Sequence, residues 1–459
     1  MSVAVALAAA WHVATHEMLA FTACALAVSI LDDVVVDLLF LGLGARRRIG
    51  TTPLPVAALD RGWMAIIIPA WDEAGVIGAM LRHLLHRLDY PRYRVFVGVY
   101  PNDPATRACV EQVADPRIKV VLCARPGPTT KADCLNHLWR AAVAHEAVAG
   151  LRFKAIVLHD AEDVVDPREL DVFDAHLPRL AMVQLPVVPL VDATSRWIGG
   201  HYLDEFAEAH GKDVVVRGAI GAAVPSAGVA CAIDRTMLGV LAGPDDAPFD
   251  PASMTEDYEI GHRIAALGGR GALIRCRGLA GTIATREHFP ATLDTAIRQK
   301  TRWLLGIALD GWDRIGWPPG VADRYMLLRD RKTIIAPLLV GAGYLAGAMA
   351  VIDAGVLRLV PAARHFAPLV PAGSLLAVVL TVNAAALGWR MGLRAAFTAS
   401  IHGWREGVRA VPRTVVGNWI NAVAAVRALR RYVRIRAGRE APRWDKTAHR
   451  FPGPVALGE

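Results

Sequence analysis

Apolar residues are unevenly distributed along the chain. From Met18 to Gly44 they run almost unbroken apart from Asp32, Asp33 and Asp37, from 51 to 330 they are mixed with polar positions, and from Thr333 to Trp389 they dominate again. Thr333 to Ile352 supplies about 20 apolar residues, the length that crosses a hydrocarbon core, and Phe366 to Trp389 supplies a second such run after a short loop. Gly403 to Tyr432 instead mixes Trp404, Val408, Val411, Val415, Trp419, Ile420 and Val426 with Arg409, Arg413 and Arg427. That pattern predicts an amphipathic interfacial or re-entrant helix. The first run admits two placements: a tilted helix over 18–45 with its acids against neighbouring helices, or a span nearer 5–31 followed by an interfacial helix.

The central stretch reads as alternating strands and helices. Met64 to Pro69, Arg94 to Tyr100, Lys119 to Leu122, Lys154 to His159 and Ala181 to Pro186 are short apolar runs, and Val76 to Leu88 has helical periodicity. This alternation predicts an α/β domain with a parallel or mostly parallel sheet, whose ligand groups lie on loops at the strand C-termini.

Composition agrees with a membrane protein. Of 459 residues 54% are hydrophobic and only 20% charged, with a mean hydropathy of +0.33, too apolar for an ordinary soluble enzyme. The net charge of +8 is no nucleic-acid signal, because the basic residues cluster at the borders of the apolar runs: Arg46, Arg47 and Arg48, then Arg329, Arg331 and Lys332, then Arg390 and Arg394. By the positive-inside rule these clusters and the central domain are cytoplasmic, and membrane lipids are their expected partners. The six cysteines (Cys24, Cys109, Cys123, Cys134, Cys231, Cys276) have neither zinc-ligand nor disulfide-framework spacing. The first run lacks a cleavage-site pattern and reads as an uncleaved anchor.

Candidate chemistry lies in the central stretch. Asp160, Glu162 and Asp163 follow the strand ending at Leu158, where hard oxygen ligands suit Mg²⁺ or Mn²⁺ bridging a pyrophosphate; an acidic turn leading into the next helix has the same pattern. Thr255-Glu256-Asp257 opens a helix. A carboxylate there, Asp257 in preference to Glu256, can serve as general base, although Thr followed by acids also makes a good N-cap. Gln299, Arg302 and Trp303 share a helix, with Gln299 and Arg302 on one face. The arginine suits a diphosphate, and the indole suits the C–H face of a pyranose or a membrane interface. Lys131 sits at a helix start, where amides and ammonium favour phosphate or merely face solvent. Pro225-Ser226-Ala227-Gly228 is a small-residue loop that lets an acceptor approach closely, or is simply a turn.

Taken in order, Ile68-Pro69-Ala70-Trp71-Asp72-Glu73, the segment Lys131 to Asn136, Asp160-Ala161-Glu162-Asp163, Thr255-Glu256-Asp257 and Gln299-x-x-Arg302-Trp303 resemble the family 2 glycosyltransferases. More narrowly, Val99-Tyr100-Pro101-Asn102-Asp103-Pro104, Ala124-Arg125-Pro126-Gly127-Pro128, His159 to Asp163 and Trp444-Asp445-Lys446-Thr447-Ala448-His449 resemble the bacterial inner-membrane phage-adsorption protein B group. The resemblance implies a GT-A fold, Rossmann-like with a mostly parallel sheet, flanked by transmembrane α-helices. It implies an inverting enzyme that polymerises sugar from a nucleotide-diphospho-sugar, a UDP-sugar, into a surface polysaccharide, with an outer-membrane export partner and a role in phage adsorption.

Glu73, Asp103, Lys131, Asp160 and Arg302 would then contact the donor, Gln299, Trp303, Ser226 and Gly228 the acceptor, and Asp160, Glu162 and Asp163 a Mg²⁺ or Mn²⁺ ion. Two departures stand out. The family's Asp-x-Asp carries Glu162 with Asp163 beside it, and Tyr-Pro-Asn-Asp replaces the usual Asp-Asp-Gly-Ser, leaving Asp103 as the base-binding candidate. Larger members carry a C-terminal domain tied to cyclic-di-GMP control; the sequence to Glu459 has no such module, so that control is not expected.

The expected organisation is an anchor over 1–50, a cytoplasmic GT-A domain over 51–320, transmembrane and interfacial helices over 321–435, and a basic cytoplasmic tail over 436–459, in the bacterial inner membrane. Two competing readings are a polyprenyl-phosphate sugar transferase, disfavoured by Gln-x-x-Arg-Trp, and a non-catalytic receptor or scaffold, disfavoured by the retained acids.

Overall fold

The computed structural model describes residues 3–45, 50–56, 60–278, 281–440 and 450–453. The Arg46, Arg47 and Arg48 cluster, the motif from Trp444 to His449 and most of the basic tail lie outside the described residues.

A seven-stranded sheet forms the centre. Its strands lie in the order Ile118–Leu122, Tyr93–Val99, Trp63–Pro69, Phe153–Leu158, Cys231–Asp234, Met182–Gln184, Gly271–Leu273. Cys231–Asp234 runs antiparallel to both neighbours, and the other pairings are parallel. The expectation of a mostly parallel sheet holds, with one reversed strand that the sequence reading did not mark. Both faces are covered, because alternate strand residues point oppositely. Ile66, Ile68, Val95 and Val97 pack under the helix Ile77–Arg87, while Ala65, Ile67 and Phe96 pack under Lys131–Ala149.

The N-terminal apolar run is one unbroken helix, Val3–Ala45, longer than either placement expected. No proline or early glycine interrupts it, and its acids meet cations from distant elements. Asp32 and Asp33 pair with Arg329 at 2.6 and 3.2 Å, Asp33 with Arg390 at 2.9 Å, and Asp37 with Lys212 at 2.6 Å. The acids therefore face neighbouring helices.

Ala336–Leu359 and Leu375–His402 are long and apolar enough to cross a membrane. The second starts nine residues after the expected Phe366, because Pro368, Pro371 and Gly373 keep the approach irregular and Ser374 caps the helix through Ala377 N at 3.2 Å. It also continues past Trp389, since Arg390 and Arg394 find partners in Asp33 and Glu208. Trp404–Arg436 then lies against both Leu375–His402 and the helix Leu293–Leu304. Its buried face, Ala410, Arg413, Gly417, Ile420, Ala424 and Ala428, follows helical spacing.

Candidate active site

Loops at the C-terminal ends of the parallel strands meet the helix starts around a cavity of about 280 Å³. Its polar lining includes Lys131, Asp160, Glu162, Ser226, Glu256, Asp257, Glu287, Gln299 and Arg302; its apolar lining includes Val187, Phe206, Val214, Phe289, Trp303 and Ile307. Candidate residues scattered over more than 170 positions thus share one space.

The acidic loop is held from beneath. His159 is fully buried, with Nδ1 2.6 Å from Asp163 Oδ2 and Nε2 2.8 Å from Glu169 Oε1. Burial alone would depress this imidazole, but Glu169 and Asp163 outweigh it and push its pKa up to about 10. Asp163 also accepts from Asp160 N at 3.1 Å. Asp163, expected beside a cation, is therefore turned into the core and does not line the cavity, leaving Asp160 and Glu162 as the carboxylates of this loop that do. Among the described residues no group of three or more His, Cys, Asp or Glu side chains is arranged to hold a metal ion.

Thr130 caps the helix Lys131–Ala149 by accepting from Asp133 N at 3.2 Å, which aims Lys131 across the cavity to Asp160, 2.6 Å away. Burial opposes the ammonium, yet Asp160, Glu256 and Asp257 overcome it and hold its pKa above the ordinary lysine value. On the facing wall Glu256 and Asp257 open the helix Glu256–Ala266. Thr255 occupies the N-cap position without a side-chain capping bond, so capping does not account for this residue. Burial and then Asp257 push Glu256 up to about 7. Burial also raises Asp257, against the pull of Lys131, Tyr258 N–H and Arg302.

The Pro225–Gly228 loop supports Asp257 from below. Gln184 Oε1 accepts from Ala227 N at 2.8 Å, and Ser226 Oγ from Gly228 N at 3.0 Å. Gly228 has φ +80, and a Cβ there would sit 2.7 Å from Asp257 Oδ2. Glycine is required here by both conformation and space. Trp303 is flanked by Tyr202, Phe206 and Phe289, with Lys300 Nζ 4.7 Å from its ring centre. Gln299 is buried, and its Oε1 has no partner among the described residues.

Two expected donor residues lie outside the cavity lining. Asp103 accepts from Thr106 N at 3.2 Å through Oδ1, capping the helix Pro104–Glu111, and from Asp72 N at 2.6 Å through Oδ2, holding the adjacent loop. Glu73 is buried beside it, its backbone N–H bonded to Thr106 Oγ1 at 2.9 Å. Both belong to a neighbouring cluster of strand-end loops, where Trp71 packs edge-on against Tyr100 and Asn102 exchanges two 2.7 Å bonds with Gly127. Conversely, Glu287 and Gln184 were missed. Glu287 stands in no acidic cluster and Gln184 reads as an interior strand residue, so only the tertiary pairing of their strands brings them to the site.

Residues 61–306 match the family described as glycosyltransferase like family 2. The chain is 35% identical over 452 residues to bacteriophage adsorption protein B of Escherichia coli (strain K12), and equally to bacteriophage N4 adsorption protein B of Escherichia coli O157:H7. These matches cover 93% of this chain but 60% of each relative, so the chain spans less than two thirds of the relatives' length. Among solved structures, the mannosyltransferase PcManGT from Pyrobaculum calidifontis, in complex with GDP-Man and Mn2+, superposes with a TM-score of 0.55 at 19% identity, covering 90% of this chain and 99% of that one. That likeness concerns the fold, which is GT-A. On the extent of the family match, this chain belongs to the family 2 glycosyltransferases.

Proposed function

We propose that this glycosyltransferase is embedded in the bacterial inner membrane and builds a surface polysaccharide from a nucleotide-diphospho-sugar at the cytoplasmic face, with inversion at the anomeric carbon, and takes part in its export and in phage adsorption. What carries the reading is the convergence of Lys131, Asp160, Glu162, Asp257, Gln299, Arg302 and Trp303 on one cavity. Lys131 and Arg302 supply positive charge for the donor diphosphate. Asp257, fixed by Tyr258 N–H at 2.7 Å and seated over Gly228, takes the proton from the acceptor hydroxyl as it attacks. Burial raises both carboxylates of this pair, Glu256 to about 7, and the nearby Lys131 pulls each back towards the ionised form that a base needs. Trp303, braced by Phe206 and Phe289, offers a flat apolar surface for the acceptor sugar.

Asp160 and Glu162 fit a divalent cation, since both line the cavity and Mg²⁺ is commonly held by one or two carboxylates together with substrate phosphates. When bound, such an ion would offset the charge developing on the departing diphosphate.

Membrane embedding draws support from the two apolar helices and from Trp404, Val408, Val411, Val415 and Trp419, which form an exposed stripe on the outer face of Trp404–Arg436. A second reading, single transfer to a polyprenyl phosphate, is favoured by one observation: much of the cavity lining is apolar. The deciding experiment incubates the purified protein in lipid with UDP- and GDP-sugars plus Mg²⁺ or Mn²⁺ and measures nucleoside diphosphate release and product length. Polymer supports synthesis, a single lipid-linked sugar supports the second reading, and no release with any donor overturns both.

A further inference from the structure

Glu287 lines the same cavity, yet none of the steps above uses it. Its position is fixed by backbone on two sides. The strand Thr285–Glu287 pairs in parallel with Val187–Pro189, and Leu190 N donates to Glu287 O at 2.8 Å. One residue earlier, Arg286 exchanges backbone hydrogen bonds of 2.8 and 3.1 Å with Val164, next to the acidic loop. Two residues later Phe289 joins Phe206 and Trp303 in the aromatic wall. Glu287 therefore stands between the diphosphate end of the cavity and the sugar-facing aromatics.

Its carboxyl makes no hydrogen bond or ion pair among the described residues, and burial together with the acids Asp163, Glu162 and Asp160, only partly offset by Lys131, raises its pKa well above the ordinary carboxylate value. In either protonation state such a group keeps a carbonyl oxygen that can accept a hydrogen bond, and nothing in the described fold uses it. Its natural complement is a ligand rich in neutral donors. A hexose whose diphosphate lies at Lys131, Asp160 and Glu162, and whose anomeric carbon faces Asp257, presents such donors across this gap. We propose that Glu287 reads the donor sugar, accepting from a ring hydroxyl or an acetamido N–H, and so sets donor selectivity. This rests on the nucleotide-sugar reading given above.

The test is calorimetric binding, which needs no acceptor. UDP-glucose, UDP-N-acetylglucosamine, UDP-galactose and GDP-mannose are compared with UDP and GDP, each over a range of Mn²⁺, for the wild type and Glu287→Met. In the wild type one sugar nucleotide binds more tightly than its own nucleoside diphosphate. Glu287→Met should shrink that advantage by about three- to tenfold, the usual worth of a neutral hydrogen bond. Diphosphate affinity and the Mn²⁺ requirement should stay unchanged, which also reports that the variant is folded. An unchanged advantage overturns the inference. A parallel loss of diphosphate affinity with a raised Mn²⁺ requirement also overturns it and makes Glu287 a cation ligand. A wild type that binds diphosphates without preferring any sugar nucleotide refutes the role of Glu287 alone, whereas one that binds no nucleotide refutes the transferase reading as well.

Discussion

Substituting Gly228 by alanine adds a single methyl group directly beneath the proposed base. That carbon would lie 2.7 Å from Asp257 Oδ2, about 0.7 Å short of the 3.4 Å at which ordinary contact begins, and 3.3 Å from Asp257 Cβ. Asp257 cannot yield freely, because its Oδ1 is tied to Tyr258 N at 2.7 Å at the start of its own helix. The carboxylate must therefore swing away from the acceptor position by several tenths of an ångström. Misplacing a reacting group by about 1 Å costs on the order of a hundredfold in rate, so kcat should fall by about ten- to a hundredfold.

The same change places alanine at φ +80, a left-handed conformation that costs about 1–2 kcal/mol. Tm should drop modestly while donor binding stays intact, because Lys131 and Asp160, the residues proposed for the donor end, lie on the opposite wall. The assay is nucleoside diphosphate release in the presence of acceptor, alongside calorimetric donor affinity and a thermal melt. Wild-type turnover in a variant with the expected lower Tm would refute the placement of the base over Gly228.

Three further outcomes follow from the geometry. Lys131→Met removes the charge that most lowers the pKa of Asp257, so the proton is held more tightly and the acid limb of the pH profile of kcat/KM should move to higher pH; a limb that stays put would separate Lys131 from the base. Trp303→Ala should reduce chain extension more than sugar-nucleotide hydrolysis, since hydrolysis needs no sugar platform, and a parallel fall in both would assign Trp303 to the fold or donor site. Asp37→Ala strips buried Lys212 of one partner at 2.6 Å and Trp389 of its acceptor at 2.9 Å, so stability in detergent should fall by about 3 kcal/mol, and an unchanged thermal melt would contradict that pairing.

Much of this architecture was readable in one dimension because its signals are local. The buried parallel strand Trp63–Pro69 is a continuous apolar run and Phe153–Leu158 is one apart from Lys154, while the acidic motifs lie just beyond a strand end or at a helix start and Gln299, Arg302 and Trp303 follow helical spacing late in one helix. Cys231–Asp234 escaped because four residues ending in an acid carry little periodic signal, and its reversed direction is set by the two strands that flank it. The ends of the Leu375–His402 helix shifted for a similar reason. Arg390 and Arg394 resemble a membrane border until Asp33 and Glu208, far away in sequence, are seen to pair with them. Asp163 looked like its neighbours Asp160 and Glu162, and only the burial of His159 beneath the loop separates them. Asp103 falls outside the cavity lining, in the neighbouring cluster of strand-end loops, where each of its oxygens accepts one backbone hydrogen bond, from Thr106 N–H and Asp72 N–H.

The most direct test of the account is Asp257→Asn, with donor affinity and product formation measured on one preparation. The amide keeps the shape of the carboxylate and can still accept from Tyr258 N–H, but it cannot take a proton from the acceptor. Donor binding should stay near wild type while glycosyl transfer falls by about a hundred- to ten-thousandfold, the usual worth of general-base assistance. Transfer persisting near the wild-type rate would contradict the account and move the base to Glu256 or beyond this pair, and a joint collapse of binding and transfer would place Asp257 among the donor contacts instead.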